Sequence, residues 1–181
     1  MPRYVAFLRA VNVGGRIVKM DELRRLFGEA GFANVETFIA SGNVIFDTKE
    51  KAGPKLEAKI EATLKQALGY DVPTFVRPLA EVVSACERKP FPEKAVATAG
   101  AFLVGLLKPP VDPGAQRRLD ALEPAQHSFK IVGSEVYWLC KVKQSETKLT
   151  PGKIEKALGG PTTMRSMVSI GKLAAKHCAG A

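Results

Sequence analysis

Two stretches, residues 4–11 (YVAFLRAV) and 101–107 (AFLVGLL), are apolar at nearly every position. A strand sends successive side chains to opposite faces, so a run that is apolar at both parities belongs to a strand covered on both sides. Each run opens a series of elements in the same order. After residues 4–11, Asn12-Val13-Gly14-Gly15-Arg16 breaks the strand, and Asp21 stands where a helix cap belongs. Leu23, Leu26, Phe27 and Ala30 then fall at i, i+3, i+4 and i+7, one face of a helix. Gly31 supplies a left-handed stop. Strands over residues 35–40 and 44–47 flank the turn Ser41-Gly42-Asn43. Pro54 suits the first turn of a helix whose Leu56, Ile60, Leu64 and Leu68 recur every four residues, and Gly69 ends it. A strand over 72–77 closes the series.

The second series repeats that order. Pro109, Pro110 and Pro113 bend the chain into a helix over 116–122. Strands over 126–132 and 135–142 are joined by Gly133-Ser134, a pair suited to a type II′ hairpin. A helix over 152–158, a strand over 162–164 and a terminal helix over 166–178 follow. Both halves thus read β-α-β-β-α-β, the split βαβ of ferredoxin-like folds. The expected fold class is α+β, with duplicated ferredoxin-like subdomains built on antiparallel sheets. The N-terminal subdomain covers residues 1–78. A linker with a short helix and Pro90 and Pro92 covers 79–100, and the C-terminal subdomain with its extra helix covers 101–181. The duplication is one of architecture, since the halves share too few residues to read as a sequence repeat.

Composition bounds the functional classes. Apolar residues are 46% of the chain and charged residues 25%, the usual balance of a folded soluble domain rather than a disordered one. The net charge is +9, and the excess is uneven. The first hundred residues carry 15 basic and 12 acidic groups, and the remainder 12 and 6. A basic second half permits an anionic partner without demonstrating one. Cys86, Cys140 and Cys178 are widely spaced, and the two histidines are His127 and His177. No CxxC occurs, so neither a structural zinc site nor a disulfide framework is expected. No metal and no cofactor is expected. A reducing, cytoplasmic location fits, with no membrane contact, because no apolar run approaches the length of a membrane span.

Chemistry concentrates in the turns. Asn12, Gly14, Gly15 and Arg16, with Lys19 beyond them, join a covered strand to a helix start. Glycines let the backbone bend and a ligand approach, and a helix start offers unpaired amides. The stretch meets neither the GxxxxGK[ST] nor the GxGxxG fingerprint. It reads either as a phosphate or carboxylate site or as a tight turn needing positive φ. In a split βαβ the first two strands run parallel, so this loop and the Ser41-Gly42-Asn43 turn leave the sheet at the same end. Gly69-Tyr70-Asp71 is the third turn there. Arg9, on the expected strand beside Val5, Phe7 and Val11, is either a rim residue reaching water or an anion contact beside the glycines.

A second basic group, Lys141, Lys143, Lys148 and Lys153, could meet a nucleic-acid backbone. Lys141 and Lys143 are expected on one strand face with Tyr137, or else they are simply the solvated side of that strand. The third strand, Asn43-Val44-Ile45-Phe46, carries one aromatic and no RNA-recognition signature. No nucleophile–base pair can be assigned from these residues.

The motifs Tyr4-Val5-Ala6-Phe7-Leu8-Arg9-Ala10-Val11-Asn12-Val13-Gly14-Gly15, residues 20–26 and Ser41-Gly42-Asn43-Val44-Ile45-Phe46 resemble the bacterial family catalogued as domain of unknown function 1697. That family reads Y-x-A-L-L-R-G-I-N-V-G-G, then M-x-x-L, then Y-x-x-S-G-N-V-x-F. The likeness extends through Pro90-Phe91-Pro92 to Lys172-Leu173-Ala174. It implies a duplicated α+β fold and a soluble cytoplasmic protein, and it supplies no activity, cofactor or substrate. The family's motif residues correspond here to Arg9, Asn12, Gly14, Gly15, Ser41, Gly42, Asn43 and Arg165. Two departures stand out. Ala10 replaces a usual glycine, and Thr163-Met164-Arg165-Ser166-Met167 stands where T-T-R-N-W is common. The residues thus support a module binding a small anionic ligand or nucleic acid at the glycine-rich edge. The alternative is an enzyme acting there on a phosphorylated or carboxylated metabolite.

Overall fold

A computed structural model describes residues 1–12, 14–39 and 42–178. It contains two four-stranded antiparallel sheets in two compact units. One comprises residues 1–85 with 172–181, and the other residues 86–171.

The first sheet contains β1 (Arg3–Leu8), β2 (Ala33–Thr37), β3 (Asn43–Asp47) and β4 (Thr74–Pro78), in the order β2-β3-β1-β4. β1 pairs antiparallel with β3 and β4, and β3 with β2, so β1 and β2 run parallel as the split βαβ requires. α1 (Met20–Glu29) and α2 (Pro54–Leu68) cover one face. Leu23, Leu26 and Phe27 of α1 and Leu56, Ile60 and Leu64 of α2 form one core with Tyr4, Ala6, Leu8, Val44, Phe46 and Val76. Val5, Phe7, Ile45 and Phe75, on the other parity, are also fully buried. That explains why residues 4–8 are apolar without alternation.

The second sheet contains β5 (Ala101–Leu107), β6 (His127–Val132), β7 (Glu135–Cys140) and β8 (Thr162–Ser166), in the matching order β6-β7-β5-β8. The core on its helical face joins Leu103, Leu107, Val136 and Trp138 to Leu119 of α5 (Ala115–Asp120) and to Ile154 and Leu158 of α6 (Pro151–Leu158). Gly133 has φ 60 in the two-residue β6–β7 turn, which fits the type II′ geometry. α3 (Leu79–Glu87), α4 (Glu93–Thr98) and α7 (Met167–Cys178) complete the chain. The unit boundaries fall within α3 and α7. α4 was not anticipated. Pro90 and Pro92 read as punctuation, yet Pro92 stands just before Glu93 as the helix's N-cap residue, where a proline costs no intrahelical bond.

Three strand expectations need correction. β1 stops at Leu8 rather than residue 11, because Ala10 turns the chain at φ 54. Arg9 therefore follows the strand, and its amide donates to the Pro73 carbonyl at 2.9 Å. β2 runs earlier than residues 35–40, with a register irregularity between Ala33 and Glu36, and Ile39 beyond it is left-handed at φ 57. β7 ends at Cys140, so Lys141 and Lys143 share no strand face with Tyr137. Tyr137 is fully buried, and its hydroxyl donates to Glu135 at 3.2 Å.

Candidate functional site: the glycine edge

The turns at the end of β1 meet. The Leu8 amide donates to the Gly42 carbonyl at 2.8 Å, tying β1 to the β2–β3 turn. Gly42 has φ 80, and a Cβ there would lie 2.9 Å from Val11 Cγ1 and 3.1 Å from Leu8 Cβ. Both the backbone angle and the close approach demand glycine. The third turn joins them, since the Tyr70 hydroxyl donates to the Val11 carbonyl at 3.0 Å.

Asn12 Oδ1 accepts the Val18 amide at 2.7 Å, closing the loop that leads into α1. Asn43 is buried, and its Nδ2 donates to the Phe38 carbonyl at 3.0 Å, closing the β2–β3 turn. These contacts tie one end of each amide to the loops' own backbones, a role asparagine takes in many turns. Ser41 lies outside the described residues. Arg9 is half-buried at the start of the loop.

The outer part of the loop is different. Gly14 and Gly15 are exposed at φ 66 and 81, with nothing within 4 Å of where a side chain would begin. The Arg16 guanidinium lies 4.2 Å from the centre of the Tyr70 ring, a cation–π contact. Sequence reasoning placed Tyr70 in the third turn but missed this partnership. The separation of an aromatic and an arginine by 54 residues leaves no local signal. α1 starts after Lys19 with no side-chain cap, so its first amides have no partner from that residue. Asp21 and Glu22 occupy the first turn and are engaged by Arg24 and Arg25.

In the second unit, Lys141, Lys143, Lys148 and Lys153 are all exposed. Lys141 Nζ reaches the Pro124 carbonyl at 3.4 Å. Arg165 belongs to this unit. Its guanidinium donates to Thr163 Oγ1 at 2.7 Å and to the Met164 carbonyl at 3.0 Å, and burial brings its pKa down to about 10. Burial pushes the Cys140 thiol up and the Tyr137 phenol up to about 12, the latter helped by the Glu135 charge. Both are held in their protonated, unreactive forms. Among the described residues, no group of three or more His, Cys, Asp or Glu side chains is placed to hold a metal ion. No described helix is long and apolar enough to cross a membrane.

Strand order, helix placement and paired turns define an α+β protein of two ferredoxin-like units. The chain belongs to the family described as protein of unknown function (DUF1697), whose model matches residues 1–137. Among solved structures, the conserved bacterial protein SP0830 from Streptococcus pneumoniae is similar over 97% of this chain and 98% of its own, with a TM-score of 0.73 at 22% identity. At that identity the likeness speaks for the fold alone. No curated protein matches the chain.

Proposed function

We propose that this protein is a binding module that takes a small phosphate- or carboxylate-bearing ligand at the glycine edge of its first unit. The Gly14–Gly15 pair carries the reading: two consecutive left-handed residues, both exposed, with open space above them. Successive backbone amides in such turns are a recurring anion cradle. Exposed Arg16 and Lys19 add positive charge, and the start of α1 adds amides that its N-cap residue leaves without a partner. Asn12, Gly42, Asn43 and Tyr70 frame the loop and hold it to the sheet. The reading includes a reducing cytoplasm, supported by the free thiols of Cys86 and Cys140.

Thermal unfolding in titrations of inorganic phosphate, pyrophosphate and citrate tests this. A ligand at a hundred times its Kd stabilises the native state by about 2.7 kcal/mol. For a chain of this size that is a rise of roughly 5–10 °C in Tm. The doubly substituted Arg16→Ala/Lys19→Ala protein, measured against its own baseline, should lose most of that rise. Equal responses in both proteins to all three anions would end the reading. An RNA oligonucleotide is the companion probe. Weak, sequence-independent binding through Lys141, Lys143, Lys148 and Lys153 would survive the Arg16/Lys19 change and fall steeply with salt.

A further inference from the structure

We propose that His127 is a proton-sensitive lock in the second unit: its neutral side chain ties the segment around Thr147 to the Trp138 core, and protonation breaks that tie. His127 opens β6, and its side chain is entirely shielded from solvent. Trp138 Nε1 donates to His127 Nδ1 at 3.1 Å. An indole N–H only donates, so Nδ1 must accept. The neutral ring then carries its proton on Nε2, 2.8 Å from Thr147 Oγ1, and donates it there. The same Oγ1 accepts the Leu149 amide at 3.1 Å, and Leu149 is buried in the unit's core. One chain of bonds thus runs from Trp138 through His127 and Thr147 to Leu149.

An added proton can go only to Nδ1. That nitrogen would then face the indole N–H, two donors with no acceptor between them. Either the Trp138 bond opens or the ring swings, and a swing takes Nε2 away from Thr147. Three titratable or charged groups face the ring. The Glu123 carboxylate, 3.7 Å from Nε2, favours the proton. The charge of Lys141 opposes it. Cys140, the register partner of His127 in β7, stays a neutral thiol. Burial outweighs Glu123 and holds His127 below its ordinary 6.5. The unfolded chain therefore takes up the proton first as pH falls. The lock's contribution is complete above about pH 6.5 and is lost as pH falls through the lower value of the folded state.

Trp138 is the sole tryptophan, so its emission reports on the lock directly. In a titration from pH 7.5 to 4, emission should change with a midpoint below 6.5 while far-UV circular dichroism holds. In isotope-labelled protein the Leu149 amide resonance should move with the same midpoint. His127→Gln, which keeps a donor and an acceptor but does not titrate, should lose the transition. Glu123→Gln should move it to lower pH. Emission that stays flat until circular dichroism collapses would overturn the proposal, as would a Leu149 amide that does not follow. An unchanged transition in His127→Gln would do the same. If that variant fails to fold, an unmoved midpoint in Glu123→Gln is decisive instead.

Discussion

Phe46 in the first sheet and Trp138 in the second occupy matching positions. Each lies four residues past the turn residue whose carbonyl accepts the last amide of the central strand, Gly42 for Leu8 and Ser134 for Leu107, both at 2.8 Å. Their surroundings differ. Phe46 packs among Tyr4, Phe27 and Phe32, with ring centres 4.7–6.0 Å away, and its own side chain brings no polar atom into the core. Trp138 stacks on Phe129 at 5.8 Å but brings an indole N–H into the core. A buried indole needs an acceptor, which His127 supplies, and His127 in turn needs Thr147. One donor atom at an otherwise matching position has recruited a buried polar chain. It makes the second unit responsive to protons in a way the aromatic cluster of the first is not.

The largest effect separating the units should come from Phe46→Ala. Phe46 is fully buried at the centre of its cluster, and removing such a ring leaves a cavity as well as losing its transfer energy, about 3–5 kcal/mol. Urea unfolding followed by circular dichroism should show that loss, while Trp138 emission in native buffer stays as in wild type. A native emission spectrum altered as much by Phe46→Ala as by changes at His127 would mean the two cores do not respond independently.

Below this core the units share a device, and the next prediction tests the likeness rather than the difference. β4 and β8 are edge strands. The Thr74 amide donates to Glu61 of α2 at 2.8 Å, and the Thr162 amide to Glu155 of α6 at 3.1 Å. Each helix thus satisfies an amide of its neighbouring edge with a carboxylate, which also blunts that edge against pairing with another chain. Bonds to charged groups contribute about 1.5–3 kcal/mol. Glu61→Ala and Glu155→Ala should each cost an amount in that range and should match one another within about 1 kcal/mol. A loss confined to one of them in denaturant unfolding would show that the repeated geometry does not carry repeated energetics.

Much of this was legible in the sequence because it follows from short-range chemistry. The proline at the start and the glycine at the end of α2 are local signals, and Gly69 is indeed left-handed, at φ 83. The meeting of the turns that carry Val11 and Gly42 followed from topology, since parallel strands must release their turns at one end. The rest depended on pairings across long separations. Arg16 on Tyr70 and His127 between Trp138 and Thr147 join residues whose partnership no periodicity encodes. The end of β1 was misread for a related reason: apolar residues continue to Val11, while the turn is set by backbone bonds to Gly42 and Pro73. Val11 is buried all the same, packed against Gly42 rather than extending the strand.

The smallest expected effect concerns that turn. Ala10 stands at φ 54 and is exposed, at the position where the resembling sequences usually have glycine. A left-handed residue with a Cβ costs roughly 1–2 kcal/mol. Glycine relieves that strain but also gains freedom in the unfolded chain, which takes back about 0.4–1 kcal/mol. The net expectation for Ala10→Gly is a gain of at most about 1.5 kcal/mol, a rise of no more than roughly 3–6 °C in Tm. The second unit offers the contrast. Its corresponding connection, through Pro109, Pro110 and Pro113, has no positive-φ residue from Lys108 to Gly114. A glycine placed at exposed Pro113 should therefore lower the Tm, because only the unfolded-state term remains. If both substitutions moved the Tm the same way, strain in the first loop would not be what distinguishes it from the second.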